Sequence, residues 1–334
     1  MIDSKKLILV AGGGGFIGGH MVKRLLEEGN RVRVADVKDF SEWHQKFDDA
    51  DNIVLDLSLV DDCRKAMDGV TEVFNFACDM GGMGFIERFK AQCMLSVLIN
   101  THLLMAARDA GVERYFYASS ACVYAKDKQC TTDLSNGLKE EDAYPAMPED
   151  GYGWEKLFSE RMCRHFREDY GTVTRIARYH NIYGPNGTWF GGREKAPAAM
   201  CRKVISSVKS GNNKMNIWGD GEQTRSFTYI DDCIEGTLKL MYSDVEEPLN
   251  IGSSEMVTIN SLAALCEGFA SVKLNYTHLL DKPLGVRGRS SNNELVRKLL
   301  GWEPRISLAT GMRKTYEWIS AEMKNANYVE DPED

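Results

Sequence analysis

Three short stretches carry side chains that could perform acid–base chemistry. Ser119-Ser120-Ala121-Cys122 closes a predicted strand, Tyr152-Gly153-Trp154-Glu155-Lys156 opens a predicted helix, and Arg193-Glu194-Lys195 falls in a loop beyond it. Tyr152 and Lys156 stand at i and i+4 on one helix face, so the ammonium can lie beside the phenol. A free phenol has a pKa of about 10 and is a poor base at neutral pH. A neighbouring Lys⁺ favours the phenolate and would lower that value. Such a tyrosine can take the proton of an alcohol as its carbon gives up a hydride, with Ser120 hydrogen-bonded to the same hydroxyl. Cys122 can donate or accept a proton near neutrality, since a free thiol titrates at about 8.5, although a cysteine near a strand end is more often a small apolar filler. Lys195 is either its acid/base partner or a solvated loop lysine, and spacing decides neither case. The aromatic and glycine-rich stretch 181–189 ahead of it is unusual for a plain connector.

A departing hydride needs an acceptor, and the start of the chain suggests one. The apolar run Leu7-Ile8-Leu9-Val10 meets Gly12-x-x-Gly15-x-x-Gly18, and an amphipathic helix follows through Leu26. Glycine permits a tight turn and close approach of backbone to a pyrophosphate, which then meets the helix N-terminus. Asp36 ends the next strand at about the twenty-residue spacing of a dinucleotide fold. Its carboxylate can accept hydrogen bonds from the adenosine ribose and would repel a 2′-phosphate, which favours NAD over NADP; Lys38 nearby works the other way. Asp56 and Leu57 end a third strand and either meet the adenine or form an ordinary helix cap. The candidate cofactor contacts are thus Gly12, Gly15, Phe16, Ile17, Gly18, Asp36, Asp56, Leu57 and Ala77, with Tyr152 and Lys156 at the reacting end.

These residues need a scaffold. Strands are expected at 7–10, 32–36, 53–56, 72–77, 115–119 and 174–178, with helices between them, the longest from Lys90 to Ala110. Strands alternating with helices imply a Rossmann-type, doubly wound parallel α/β sheet. After Pro185 the pattern becomes irregular, then resumes at Arg225–Asp232. The expected division is a cofactor domain of 1–182 plus 222–250, a smaller substrate lobe of 183–221 plus 251–324, and a frayed acidic tail of 325–334. The net charge of −8 gives no support to a nucleic-acid partner. No apolar run approaches a membrane span and no signal-peptide pattern opens the chain. Nine scattered cysteines, with no Cys/His cluster at zinc spacing, suggest no metal and a reduced, cytoplasmic compartment.

Six stretches together resemble the extended short-chain dehydrogenases/reductases that act on nucleotide sugars and, within them, the GDP-mannose 3,5-epimerase family. They are DMGGMGFI at 79–86, YASSACVY at 117–124, HNIYGP at 180–185, GGREKAPAA at 191–199, WGDGEQTRSFT at 218–228 and GVRGR at 285–289. The resemblance implies an NAD-dependent epimerase that oxidises carbon 4 of a GDP-sugar, inverts carbon 3, carbon 5 or both, and reduces carbon 4 again. It implies Tyr152 as base, Lys156 positioning NAD, and Cys122 with Lys195 exchanging protons on opposite faces of the sugar. It further implies substrate contacts from Gly81, Gly82, Met83, Gly84, Ser120, Ala121, Asn181, Glu194, Lys203, Gln223, Arg225 and Arg289, the two arginines suiting a diphosphate in charge and fork geometry. A homodimer through helices near 90–110 and 152–170 is also implied. Phe190 and Cys78 depart from the lysine and alanine of plant members, and the chain begins without their N-terminal extension.

Two other enzymes and one non-enzyme compete. A GDP-fucose-synthase-like reductase-epimerase would pair a strand-end cysteine with histidine and consume NADPH, against Lys195 and Asp36. A simple 4-epimerase would not need Cys122 or Lys195. A non-catalytic NAD-binding regulator would have no reason to retain both Tyr152 and Lys156.

Overall fold

In Leu7–Ala11 (β1) every residue is buried, and successive side chains serve opposite faces. Ile8 and Val10 join one hydrophobic core, Leu7, Leu9 and Ala11 the other. That is what a central strand covered by helices on both faces requires. The computed structural model describes residues 6–133, 136–326 and 328.

The first half runs β1, α1 (Phe16–Glu27), β2 (Arg31–Asp36), β3 (Asp51–Val54), α2 (Val60–Met67), β4 (Glu72–Asn75), α3 (Met83–Arg88), α4 (Lys90–Ala110), β5 (Arg114–Ser120), α5 (Asp150–Tyr170) and β6 (Val173–Tyr179). It continues through β7 (Ile182–Tyr183), α6 (Ala196–Ser210), β8 (Lys214–Trp218), β9 (Thr224–Ser226), β10 (Thr228–Tyr229), α7 (Ile230–Met241) and β11 (Leu249–Ile251). The last elements are β12 (Met256–Thr258), α8 (Ile259–Ala270), β13 (Asn275–Leu279), β14 (Gly288–Arg289), α9 (Glu294–Leu300) and α10 (Leu308–Asn325).

Seven parallel strands form the main sheet in the order β3-β2-β1-β4-β5-β6-β11. This is the doubly wound Rossmann arrangement, whose switch point lies beyond the carboxyl ends of β1 and β4. The chain leaves this sheet after β6 and returns to it: α7 packs on α1 and β6, and β11 pairs with β6. Between and after these segments lie a three-stranded sheet (β12-β9-β14), a β13-β8 pair, and α6 packed on α8 and α10.

Three expectations need adjustment. β3 stops at Val54 and β4 at Asn75, each two residues early. After β4 the Asn75 side chain takes over, accepting a hydrogen bond from the Ala77 amide (3.1 Å), while Ala77 crowds against Gly12. The expected tail at 325–334 is ordered where it is described: Asn325 is the last residue of α10, and the Tyr328 ring lies 5.1 Å from Trp189. An aromatic pair of this kind holds a chain end that charge alone would leave free. Residues 327 and 329–334 lie outside the described residues.

Candidate active site

A cavity of about 790 Å³ opens at the switch point. Gly12, Gly15, Phe16, Ile17, Gly18, Asp36, Asp56, Leu57, Ala77 and Tyr152 all line it. Its shape depends on missing side chains. Gly12 has φ +76°, and a Cβ there would lie 2.8 Å from the Ala77 backbone; a Cβ on Gly18 would lie 2.3 Å from the Gly12 carbonyl. Only glycine holds this turn, and it leaves the N-terminus of α1 bare toward the cavity, as a pyrophosphate would need. The Asp36 carboxylate is buried and accepts from the Lys38 amide (3.1 Å), which fixes it at the ribose end. The residues present fit a dinucleotide. His44 extends the wall, its amide donating to Gly14 O (3.0 Å), while Trp43 is packed in the core beneath the turn, where a Cβ on Gly14 would strike its ring.

The other end of the cavity carries Ser120, Tyr152 and Lys195. β5 delivers Ser120 at its last residue, and the first turn of α5 places Tyr152 beside it. Lys156 Nζ stands 5.5 Å from the Tyr152 ring centroid, so the helical spacing does bring the two together. The expected consequence for the phenol is not found. Lys156 donates to Tyr117 Oη (3.2 Å) and pairs with the buried Glu155 carboxylate (3.5 Å). Burial pushes the Tyr152 pKa well above its ordinary value, Cys78, Cys122 and Glu155 add to the rise, and the Ser120 hydroxyl pulls the other way. Burial is the leading cause. Glu155, fixed by Tyr117 and Ser159, adds to it and shares the Lys156 ammonium with the phenol. Lys156 itself stays protonated: burial opposes its charge, but Cys78 and Glu155 outweigh burial and raise its pKa.

Cys122 sits in a short turn, 121–123, directly after β5, and is buried. It does not line the cavity but packs with Tyr152, Phe85, Ile86 and Cys93 immediately behind it. Its amide donates to Ser120 Oγ (3.2 Å) and its Sγ lies 3.4 Å from Arg289 Nη1. Burial raises its pKa, the Arg289 charge pulls it back, and Glu149 pushes it up. Lys195 precedes α6 and borders the cavity; burial lowers its pKa, and the neighbouring Cys122 and Cys78 thiols act against that shift. A lysine brought down in this way can exchange a proton closer to neutrality.

The remaining predicted substrate contacts do not line this cavity. Gly82 N donates to Arg193 O (3.0 Å), and a Cβ on Gly82 would lie 2.4 Å from Glu194 O, so the 81–84 loop and the 193–195 loop fit only through glycine. Gly81 packs under Phe85, Gly84 faces Trp218, and Met83 reaches Gly285. Glu194 accepts from Gly192 N and pairs with Arg202. Asn181 donates to Ser226 O, and Lys203 to Asn216 O. Ala121 is packed in a small apolar cluster. Gln223 donates to Trp218 O (3.1 Å), while its Oε1 and the Trp218 Nε1 are buried without a hydrogen-bond partner among the described residues. The two arginines are engaged by protein. Arg225 donates to the carbonyls of Thr224, Leu284 and Val286, and burial lowers its pKa to about 10. Arg289 is bound to Gln129, Glu149 and Cys122.

Sequence reasoning missed Glu155, Tyr117, Glu149, Gln129, and Cys78 as a wall residue. Glu155 had a signal, lying inside the Tyr-x-x-x-Lys stretch. Gln129 and Glu149 had none, since Arg289 reaches them across 160 and 140 residues. Among the described residues, no helix is long and apolar enough to cross a membrane, and no group of three His, Cys, Asp or Glu side chains is placed to hold a metal.

A doubly wound sheet, a glycine cradle at its switch point and a Tyr/Lys pair at the far end of one cavity define a dinucleotide-dependent enzyme of the short-chain dehydrogenase/reductase type. The chain belongs to the NAD dependent epimerase/dehydratase family, whose profile matches residues 8–252, and NAD is its cofactor. It is 47% identical over 323 residues to GDP-mannose 3,5-epimerase 1 of Oryza sativa subsp. japonica, covering 96% of this chain and 84% of the relative. It is 47% identical over 319 residues to GDP-mannose 3,5-epimerase of Arabidopsis thaliana, covering 95% and 83%. Among solved structures, UDP-glucose 4-epimerase of Thermotoga maritima shares the fold, with a TM-score of 0.85 at 24% identity over 95% of this chain and 99% of that one.

Proposed function

We propose that this protein epimerises a GDP-sugar, converting GDP-mannose to GDP-L-galactose and GDP-L-gulose by transient oxidation at carbon 4. The observations that carry this reading are Lys195, its pKa lowered by burial, on the cavity wall it shares with Tyr152, and Cys122 packed against Tyr152 behind that wall, in a chain nearly half identical to enzymes named for that reaction. The orphaned Gln223 Oε1 and Trp218 Nε1 offer an acceptor and a donor for a nucleotide base.

Bound NAD supplies a hydride acceptor and then a donor at carbon 4, so it is not consumed. Tyr152 takes the proton of the 4-hydroxyl while Ser120 holds the oxygen. Lys156, kept charged, stabilises the forming phenolate across the ring. A 4-keto sugar has acidic hydrogens at carbons 3 and 5, because the carbanion is delocalised as an enolate. Cys122 and Lys195 exchange those protons, each contributing on the order of 10²- to 10⁴-fold. Incubation with GDP-mannose and NMR of the products tests the reading: L-galactose and L-gulose configurations are expected, and recovery of GDP-mannose alone with NAD bound would contradict it.

The finer assignments belong to the same proposal. The cofactor domain is 1–182 with 222–250 and the substrate lobe 183–221 with 251–324. α4 and α5 expose Met94, Leu95, Leu98, Trp154 and Phe158, apolar surface suited to cover by a second copy. Sedimentation should therefore give a dimer, and Leu98→Asp, at a residue outside the cavity lining, should weaken it. Nine free thiols suit a reducing, cytoplasmic setting.

A further inference from the structure

Three residues, Arg289, Glu149 and Gln129, are linked in one hydrogen-bonded chain to the Cys122 sulfur. Arg289 Nη1 donates to Cys122 Sγ (3.4 Å), Nη2 to Glu149 Oε2 (2.7 Å), and Nε to Gln129 Oε1 (2.7 Å). Gln129 is itself held by the carbonyls of Tyr124 and Ala125. Glu149 also grips the cysteine's backbone, its amide donating to Cys122 O (3.0 Å). The start of α5 is pressed onto that carbonyl, since a Cβ on Gly153 would lie 2.4 Å from it. Glu149 stands three residues before Tyr152, so one residue, through its amide and its buried carboxylate, links Cys122 and Arg289 to the turn that carries the phenol.

We propose that Glu149, Arg289 and Gln129 form a positioning unit that sets both the place and the protonation of the Cys122 thiol, with Glu149 as counterweight to the arginine. This rests on the reading of Cys122 as an acid/base group. A buried ion pair is poor evidence of stabilisation, because apolar replacements often do as well or better. Here the arginine gives a donor to a thiol, which is a weak acceptor as S–H and gains most from a cation as S⁻. The charged and titratable groups around the sulfur are Arg289 from β14, Glu149 just ahead of α5, Tyr152 from α5, Arg225 from β9, Lys195 ahead of α6, and the thiols of Cys93 from α4 and Cys78 after β4, with the Ser120 hydroxyl from β5. Arg289 favours the thiolate, Glu149 opposes it, and burial opposes it most.

The test is a pH titration of thiolate ultraviolet absorbance in the full-length protein without substrate, with the Cys122→Ala curve subtracted. Glu149→Gln removes the opposing charge and should move the Cys122 midpoint down by about one pH unit, whereas Arg289→Gln should move it up by at least as much. Arg289→Lys keeps the charge and should restore most of the wild-type midpoint. Either substitution leaves its partner's charge unpaired in the interior, but Glu149→Gln keeps the arginine with its donors to Gln129 and Cys122 and an amide oxygen in place of the lost acceptor, so it is the deciding variant. A purely structural unit would change stability and leave the midpoint in place. An unmoved midpoint in Glu149→Gln, or one that rises, overturns the proposal. The titration needs no turnover, so failure to epimerise GDP-mannose would count against the activity and not against this unit.

Discussion

The two ends of the cavity are built on different principles. The cofactor end is contiguous: Gly12 to Asp36 forms one β1-α1-β2 unit, and its recognition features are absent side chains and one carboxylate. The proton-transfer end is assembled from segments around 122, 149–156, 193–195 and 285–289, and its charged groups hold one another. A cradle made of glycine tolerates no added atom. A site made of paired charges instead responds to the loss of any one partner by retuning the others. The cofactor end should therefore fail in binding, and the proton-transfer end in rate and pH dependence.

The largest effect is expected where the two ends meet. Tyr152→Phe keeps the ring and removes the proton acceptor, so turnover should fall by about 10⁴-fold or more with NAD still bound. Turnover within tenfold of wild type would remove Tyr152 from the base role. Next in size, Cys122→Ala and Lys195→Ala should each lower inversion by roughly 10²- to 10³-fold while NAD affinity stays as in the wild type. If NAD binding fell with them, the separation of the two ends would be lost.

A smaller change is expected at the ribose. Asp36→Asn removes the charge that repels a 2′-phosphate and should narrow the preference for NAD over NADP by about tenfold, equivalent to 1.4 kcal/mol. Equal affinities in the wild type would refute the role of Asp36. The smallest effect concerns acid stability. Burial pushes the Glu149 pKa up, but the charge and hydrogen bond of Arg289 outweigh it and hold the carboxyl below its ordinary value. A depressed carboxyl contributes stability above its unfolded pKa of about 4.3, and that contribution fades as pH falls through the folded value. Thermal melts from neutral pH to below pH 4 should fall less steeply for Glu149→Gln than for the wild type; parallel curves would mean that the pair contributes nothing to folding.

Much of the cofactor end was legible in the chain because its signals are local. The glycine spacing, Asp36 and the alternation of strand and helix each follow from a few neighbouring residues, and α4 falls on the expected Lys90–Ala110. Tyr152 and Lys156 share a helix face as their spacing requires, yet the phenol's pKa rises, because its burial, together with Cys78, Cys122 and a Glu155 held by Tyr117 of β5, depends on packing that the spacing does not encode. The arginines were read as free forks for a diphosphate. Their occupation by carbonyls, Glu149 and Gln129 depends on strand pairing of β9 with β14 and on loops more than a hundred residues apart, which no local pattern encodes.

The separation of hydride and proton chemistry is tested most directly by turnover of GDP-mannose in deuterated water, with NMR at each sugar carbon in wild type, Cys122→Ala and Lys195→Ala. Solvent deuterium is expected at carbons 3 and 5 of the wild-type products. Each variant should give little inverted sugar, with exchange lacking inversion persisting in the one that keeps the deprotonating group. Inverted products without solvent deuterium, or near-wild-type inversion in both variants, would contradict the account and leave Cys122 as core packing and Lys195 as a loop lysine.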